Sequence, residues 1–284
     1  MGRAAVAFSP GHISGYFRQI EGSDPGTTGS VGAGIVIEEG VLARAVPAAE
    51  AGVTVRRLDA AGGIADSFFG SPPVEYALAR LQVAAAITTE CRLPIGAGFG
   101  LSAAALLASI TAVDRLFALG MGEEEIAALA HEAEVVHRTG LGDVAACRGG
   151  GLACRRGAGV RAGIVRQYPG ERVYAVSMGA LSTAAVLSSK AAMARISAAF
   201  PDRCPDDLMD FMLLSRQFAD SSGLVTPQIA EVLAACDAAG VPASMTMLGN
   251  GVFACGEGAA GLLSAYGEVY ELGIARAGVR LLEG

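Results

Sequence analysis

The stretch PIGAGFGLSAAALLASI, Pro94 to Ile110, places glycines at 96, 98 and 100 and then runs straight into a helix former. Glycines at that spacing allow left-handed backbone and close approach of a ligand, and the first helical turn supplies N–H groups with no intrahelical partner. The helix dipole adds attraction for an anion. Two readings fit the glycines alone: a cradle for phosphate, and a tight turn that feeds a small-residue helix into the core. Ser102 suits either, as a cap or as a ligand to a phosphate or its magnesium ion. A Walker A loop is excluded, because the only lysine, Lys190, follows Ser189 with no glycine loop around it.

With 284 residues and 52% apolar content, the chain can fill the core of one large domain or two ordinary ones. Its apolar runs are broken before the roughly 18–20 residues that a membrane span needs. Met1-Gly2-Arg3 leads into a β-like run and a Ser-Pro-Gly turn, with no signal-peptide pattern. The expectation is a soluble, cytoplasmic protein without a membrane partner. A net charge of −7 with no basic cluster argues against nucleic acid. Cysteines at 91, 147, 154, 204, 236 and 255 form no C-x-x-C pair and are expected to be buried, reduced thiols. Histidines at 12, 131 and 137 form no H-E-x-x-H arrangement, so a metal held mainly by protein ligands is not expected.

Strand-like segments at 4–8, 32–38, 42–47 and 53–58 precede the first strong helix, read over Val74 to Thr89 behind Pro72-Pro73. A second helix follows the glycines, and a third opens on Glu123-Glu124-Glu125 and runs to about His137. TGLGDVAACRGGGLACRR, Thr139 to Arg156, then places Asp143 at a helix start. A strand at 172–177, helices at about 190–199, 205–221 and 227–239, the strand-like ASMTMLGNGVFACG, and a final helix and strand complete the layout. The glycine-rich stretch at 157–170 is the candidate boundary between domains of residues 1–165 and 166–284.

Pro94-x-x-x-Gly98-Phe99-Gly100-Leu101-Ser102-Ala103-Ala104 resembles the central motif of the GHMP kinases, P-x-x-x-G-L-G-S-S-A-A, with Leu101 in place of the first serine. SPGHISGYF, Ser9 to Phe17, and MLGNGVFACG, Met247 to Gly256, resemble the family's N-terminal and C-terminal motifs in the right order. Together with DPGTTGSVGAG, Asp24 to Gly34, and TGLGDVAA, they make the chain most similar to the archaeal pantoate kinase subgroup, nearly end to end. In one departure, the turn TTGSVG lacks the basic residues of that subgroup, and with them a charge for the substrate carboxylate.

The resemblance implies an α+β, two-domain GHMP kinase fold, with an N-terminal domain like the second domain of ribosomal protein S5 and a C-terminal ferredoxin-like α/β sandwich. It implies ATP-dependent phosphorylation of the 4-hydroxyl of pantoate, with Mg²⁺, on the route to coenzyme A. Pro94, Gly96, Ala97, Gly98, Phe99, Gly100, Leu101, Ser102, Ala103 and Ala104 would hold ATP, with Gly249 and Asn250 closing over the phosphates. Ser102 and Glu134 would share the ion, with Glu132 the alternative to Glu134. Asp143 would act on the attacking hydroxyl as base or orienting group, or else serve as a helix N-cap.

His12, Ser14, Arg18, Arg138, Arg155, Thr183 and Lys190 are the candidates for the substrate pocket, which must pair a cationic or N–H-rich wall with an apolar one for pantoate's gem-dimethyl group. Each basic residue among them also fits a solvated surface position, and His12 a turn histidine. Alternatives to pantoate are another hydroxylated acid or alcohol, such as homoserine, shikimate or mevalonate, or a kinase-like sensor without transfer. Family habit and the apolar surplus lead to the expectation of a homodimer.

Overall fold

The structure, a computed structural model, describes residues 3–284. Its spine is an antiparallel pair, β1 (Ala5–Ile20) and β2 (Gly29–Pro47), in register from Ala5 opposite Ala45 to Ile20 opposite Gly29. The Ser-Pro-Gly segment expected as a turn lies inside β1, where the register shifts between Pro10 and Gly11. A bulge absorbs a proline that has no N–H to give to the ladder, so the strand continues instead of turning. The two strands read at 32–38 and 42–47 are likewise one strand, β2. Only 24–27 form a turn within Asp24 to Gly34, closed by the Thr27 N–H donating to Asp24 Oδ1 at 2.9 Å.

β3 (Gly52–Leu58), β4 (Ile64–Phe69), α1 (Pro72–Leu81) and β5 (Ala85–Cys91) follow. The single helix read over 74–89 is thus a helix and a strand. Gln82 takes a left-handed conformation that stops α1, and Ile87-Thr88-Thr89 are β-branched residues with alternating burial. Next come α2 (Leu101–Phe117), α3 (Glu123–His137), α4 (Asp143–Cys147), β6 (Leu152–Arg155) and β7 (Ile164–Gln167). The Gly122 N–H donates to Glu125 Oε2 at 2.8 Å, so α3 starts at the acidic turn as expected.

The remainder is β8 (Val173–Ser177), α5 (Thr183–Ser188), α6 (Lys190–Ala199), α7 (Leu208–Ser222), α8 (Pro227–Ala238), β9 (Ala243–Met245), β10 (Gly251–Cys255), α9 (Ala259–Leu263), β11 (Val269–Leu272) and β12 (Arg280–Glu283). Four of these strands form a sheet in the order β11-β8-β10-β9, antiparallel throughout. Chain order β-α-β-β-α-β with that sheet order is the ferredoxin-like arrangement. The larger sheet runs β12-β1-β2-β5-β3-β4, with β6 between β2 and β7, so the chain's last strand returns to pair with its first. The stretch 157–170 contains β7, which pairs in this first sheet.

Helix α2 is the buried axle of the first unit: Ala103, Ala104, Leu106, Leu107, Ala108 and Val113 are 0% exposed. Its alanines allow close approach to β1 and β2, which explains the small-residue run without any ligand. The largest core cluster crosses between the sheets. Tyr16 and Phe17 of β1 meet Phe211 and Phe218 of α7, and Phe211 stacks on Phe253 of β10 at 5.9 Å. Cys154 and Cys204 form a disulfide that ties β6 to the loop before α7, with Cα atoms 5.7 Å apart. This corrects the expectation of reduced thiols for that pair, which lies 50 residues apart in sequence and meets only in the fold; Cys91, Cys147, Cys236 and Cys255 are buried and free.

Candidate active site

One cleft of about 480 Å³ gathers the glycine loop, Glu134, Asp143 and Arg155. The loop enters α2 through Gly96, Gly98 and Gly100, at φ +78°, +86° and +61°. Gly100 occupies the N-cap position, and a Cβ there would lie 3.0 Å from the backbone oxygen of His12. Only glycine fits both the left-handed backbone and that approach. The first N–H groups of α2 lack helical partners by position, and Gly100, Leu101 and Ser102 at its start line the cleft.

Of the residues expected at ATP, Gly96, Gly98, Phe99, Gly100, Leu101 and Ser102 line the cleft. Ala97, Ala103 and Ala104 are buried and seat the loop on the core, while Pro94 faces a neighbouring depression beside Arg57, Asp66 and Tyr270. Leu101 belongs to the core cluster with Phe99, so the departure at this position exchanges a hydroxyl for packing. Gly249 and Asn250 do not line the cleft; their neighbours Met247 and Leu248 do. Gly249 packs against the Ala97 carbonyl, and the Asn250 amide donates to the Met178 carbonyl at 3.2 Å while its Oδ1 accepts from Thr226 Oγ1 at 3.0 Å. That turn braces the loop from behind.

Asp143 is the first residue of α4, and Gly142 holds the cap position, so its carboxylate is not spent on capping. Its Oδ1 lies 2.5 Å from His12 Nδ1, and the side chain keeps 22% exposure toward the cleft. Burial works to raise the Asp143 carboxyl, but the hydrogen bond from His12 and the Arg155 charge outweigh it and hold the group below the usual carboxylate range. Asp143 is therefore an ionised acceptor at neutral pH.

Glu134 is 1% exposed, and neither carboxylate oxygen has a hydrogen-bond partner. Burial first, and the Asp143 charge second, push its carboxyl well above the usual range. A buried, unpartnered carboxylate on a cleft wall matches a cation that arrives with a ligand. Glu132 instead accepts from the Tyr76 hydroxyl at 2.6 Å and pairs with Arg80 at 3.5 Å, tying α3 to α1 away from the cleft.

Arg155 ends β6, 3% exposed, with Nε and Nη1 unpartnered. Burial opposes its charge and Asp143 supports it. A guanidinium keeps its proton even here, so its free N–H groups call for an anion. Ser14, Arg138 and Thr183 also line the cleft. His12, Arg18 and Lys190 do not. His12 is fully buried behind Asp143; Arg18 pairs with Asp202 at 3.2 Å and lies 4.5 Å over Phe200; Lys190 is exposed at the start of α6.

Sequence reasoning missed Ser30, beside Arg155, and Thr139 and Ser182 on the cleft lining, together with an apolar part of the lining formed by Val41, Val55, Phe68, Pro72 and Cys91. Only Thr139 carried a signal, through its place in TGLGD; the rest depend on which sheet edge faces the loop.

A profile of the GHMP kinases N terminal domain matches residues 73–151. The pantoate kinase of Methanospirillum hungatei is 45% identical over 98% of this chain and 96% of its own length. That of Thermococcus kodakarensis is 30% identical, covering 87% of this chain and 86% of its own. Among solved structures, a phosphotransferase related to the CoA biosynthesis pathway superposes with a TM-score of 0.80 at 25% identity, over 99% of both chains. Among the described residues no helix is long and apolar enough to cross a membrane. With the family's motifs gathered on one cleft and full-length likeness to such relatives, the chain belongs to the GHMP kinases and, within them, to the pantoate kinase family.

Proposed function

We propose that the chain transfers the γ-phosphoryl group of ATP to the 4-hydroxyl of pantoate, giving 4-phosphopantoate for coenzyme A synthesis. The observation that carries this reading is Arg155, a buried guanidinium with two unpartnered nitrogens on the same cleft wall as the ionised Asp143. A hydroxy acid fits that pair. Its carboxylate bonds Arg155, and its hydroxyl meets Asp143. Phe17 and Leu141 give the wall an apolar surface suited to the gem-dimethyl group.

Phosphoryl transfer asks mainly for in-line placement and charge neutralisation. The α2 N–H groups and Ser102 bind the phosphates, and the apolar part of the cleft lining takes the nucleobase. The 4-oxygen bonds the γ-phosphorus as the bond to ADP breaks, and the hydroxyl proton passes to Asp143. Glu134 and Ser102 are the groups that would hold Mg²⁺, which supplies neutralisation of phosphate charge. Among the described residues no three His, Cys, Asp or Glu side chains gather as a metal site, so Glu134 and Ser102 would hold the ion only together with phosphate oxygens of bound ATP. We further read the protein as a cytoplasmic homodimer whose domains divide near residue 165, with β12 returned to the first.

Assay with ATP and Mg²⁺ against pantoate, homoserine, shikimate and mevalonate tests this. Turnover with pantoate is expected. Turnover confined to another acceptor would move the substrate, and ATP binding without any turnover would point to a sensor.

A further inference from the structure

His12 touches Asp143 without lining the cleft. Its ring Nε2 is buried with no partner, and Gly34 lies beneath it so closely that a Cβ there would collide with that nitrogen. A second ring proton would find no acceptor, so the imidazole is neutral, with its proton on Nδ1 and donated to Asp143. Burial favours the same neutral form. The His12 backbone N–H donates to the Phe99 carbonyl at 2.9 Å, in the middle of the glycine loop, and Gly100 packs on the His12 backbone. One residue therefore binds both the loop that would hold phosphate and the carboxylate that would take the proton.

We propose that His12 is a positioning residue that acts through Asp143. Its imidazole fixes one carboxylate oxygen of Asp143, and its main chain fixes the distance from that carboxylate to the phosphate loop, so that the acceptor hydroxyl and the γ-phosphorus meet in line. It touches neither substrate. The proposal rests on the reading of Asp143 as the proton acceptor.

A double-mutant cycle in the full chain tests it, with kcat and both KM values measured for every variant and folding checked by thermal melting. His12→Ala should lower kcat on the order of 100-fold, the loss typical of a reacting group displaced by about an ångström, with little change in KM. His12→Asn should recover most of that loss, because its amide nitrogen takes the place of Nδ1, whereas His12→Gln, whose amide reaches the place of Nε2, should not. In an Asp143→Ala background, His12→Ala should cost less than about 2-fold further.

An equal loss in the Asp143→Ala background, a rise in the pantoate KM with kcat intact, or Asn no better than Gln would each overturn the proposal. If His12→Ala does not fold, the Asn and Gln variants carry the comparison. An Asp143→Ala enzyme with unaltered kcat would instead remove Asp143 from the chemistry, and this role of His12 with it. Absence of turnover in the unmutated chain would refute the kinase reading itself.

Discussion

Replacing Arg155 with methionine should separate affinity for the acceptor from stability. The side chain is 3% exposed with Nε and Nη1 unpartnered, so it contributes charge and donors to the cleft and few bonds to the fold. Removing one partner of a buried, hydrogen-bonded charge pair costs about 2–5 kcal/mol. At about 1.4 kcal/mol per tenfold, the pantoate KM should rise between ~30-fold and ~4,000-fold. The ATP KM should stay within about 3-fold, since Arg155 lies at the acceptor side.

Stability should respond differently. Removing a buried guanidinium with two unpartnered nitrogens relieves its desolvation cost. The lost attraction to Asp143 opposes the gain, and the net should fall within about 1 kcal/mol, or roughly 2–4 °C in melting temperature. Steady-state kinetics and scanning calorimetry on the same preparation check both halves. A pantoate KM within threefold of the parent's, or a large fall in melting temperature with KM unchanged, would refute the assignment of Arg155 to the substrate carboxylate.

Glu134→Gln should abolish the response of kcat to Mg²⁺ while raising melting temperature in metal-free buffer. Burial raises the Glu134 carboxyl, so the native state loses stability as pH climbs from the ordinary carboxylate range through the raised value, and the advantage of Gln should grow from pH 4 to pH 8; an advantage independent of pH would contradict the burial argument. Cys91, on the apolar cleft wall, has its thiol pushed up to about 11 by burial, so about 0.1% is thiolate at pH 8 and iodoacetamide should label it slowly, more slowly still with ATP bound. Fast labelling at pH 8 would count against that burial. The Cys154–Cys204 bond closes a loop of 50 residues, and the chain-entropy estimate assigns about 4 kcal/mol to such a closure. Denaturant unfolding with and without reductant should show up to that difference, and alkylation of all six cysteines without reductant would show that the bond is absent.

The features legible in the sequence were those written in local spacing. The glycines before α2, the acidic start of α3 and Asp143 at the head of α4 need no distant partner to be read. Legibility failed where long-range pairing overrode local signals. Pro10-Gly11 looks like a turn, but the ladder to β2 carries the strand through it. Ala84 to Thr89 continues a helical pattern until the β-branched run pairs with β2 and β3. In the site, a side chain's type was legible but not its direction. His12 and Arg155 are both basic residues beside motifs, yet one is sealed behind Asp143 and the other opens on the cleft. Gly249 and Asn250 carry the motif's glycine pattern but serve the loop's back, because the β9–β10 connection packs beneath Ala97.

The most direct measurement is a crystal structure of the protein with pantoate, Mg²⁺ and a non-hydrolysable ATP analogue. The account predicts the pantoate carboxylate on Arg155, its 4-hydroxyl within hydrogen-bond reach of Asp143, and the phosphates on the N–H groups that open α2 beside Ser102. A carboxylate held at Arg138 or Lys190 with Arg155 unengaged, or a 4-hydroxyl turned away from Asp143, would contradict it.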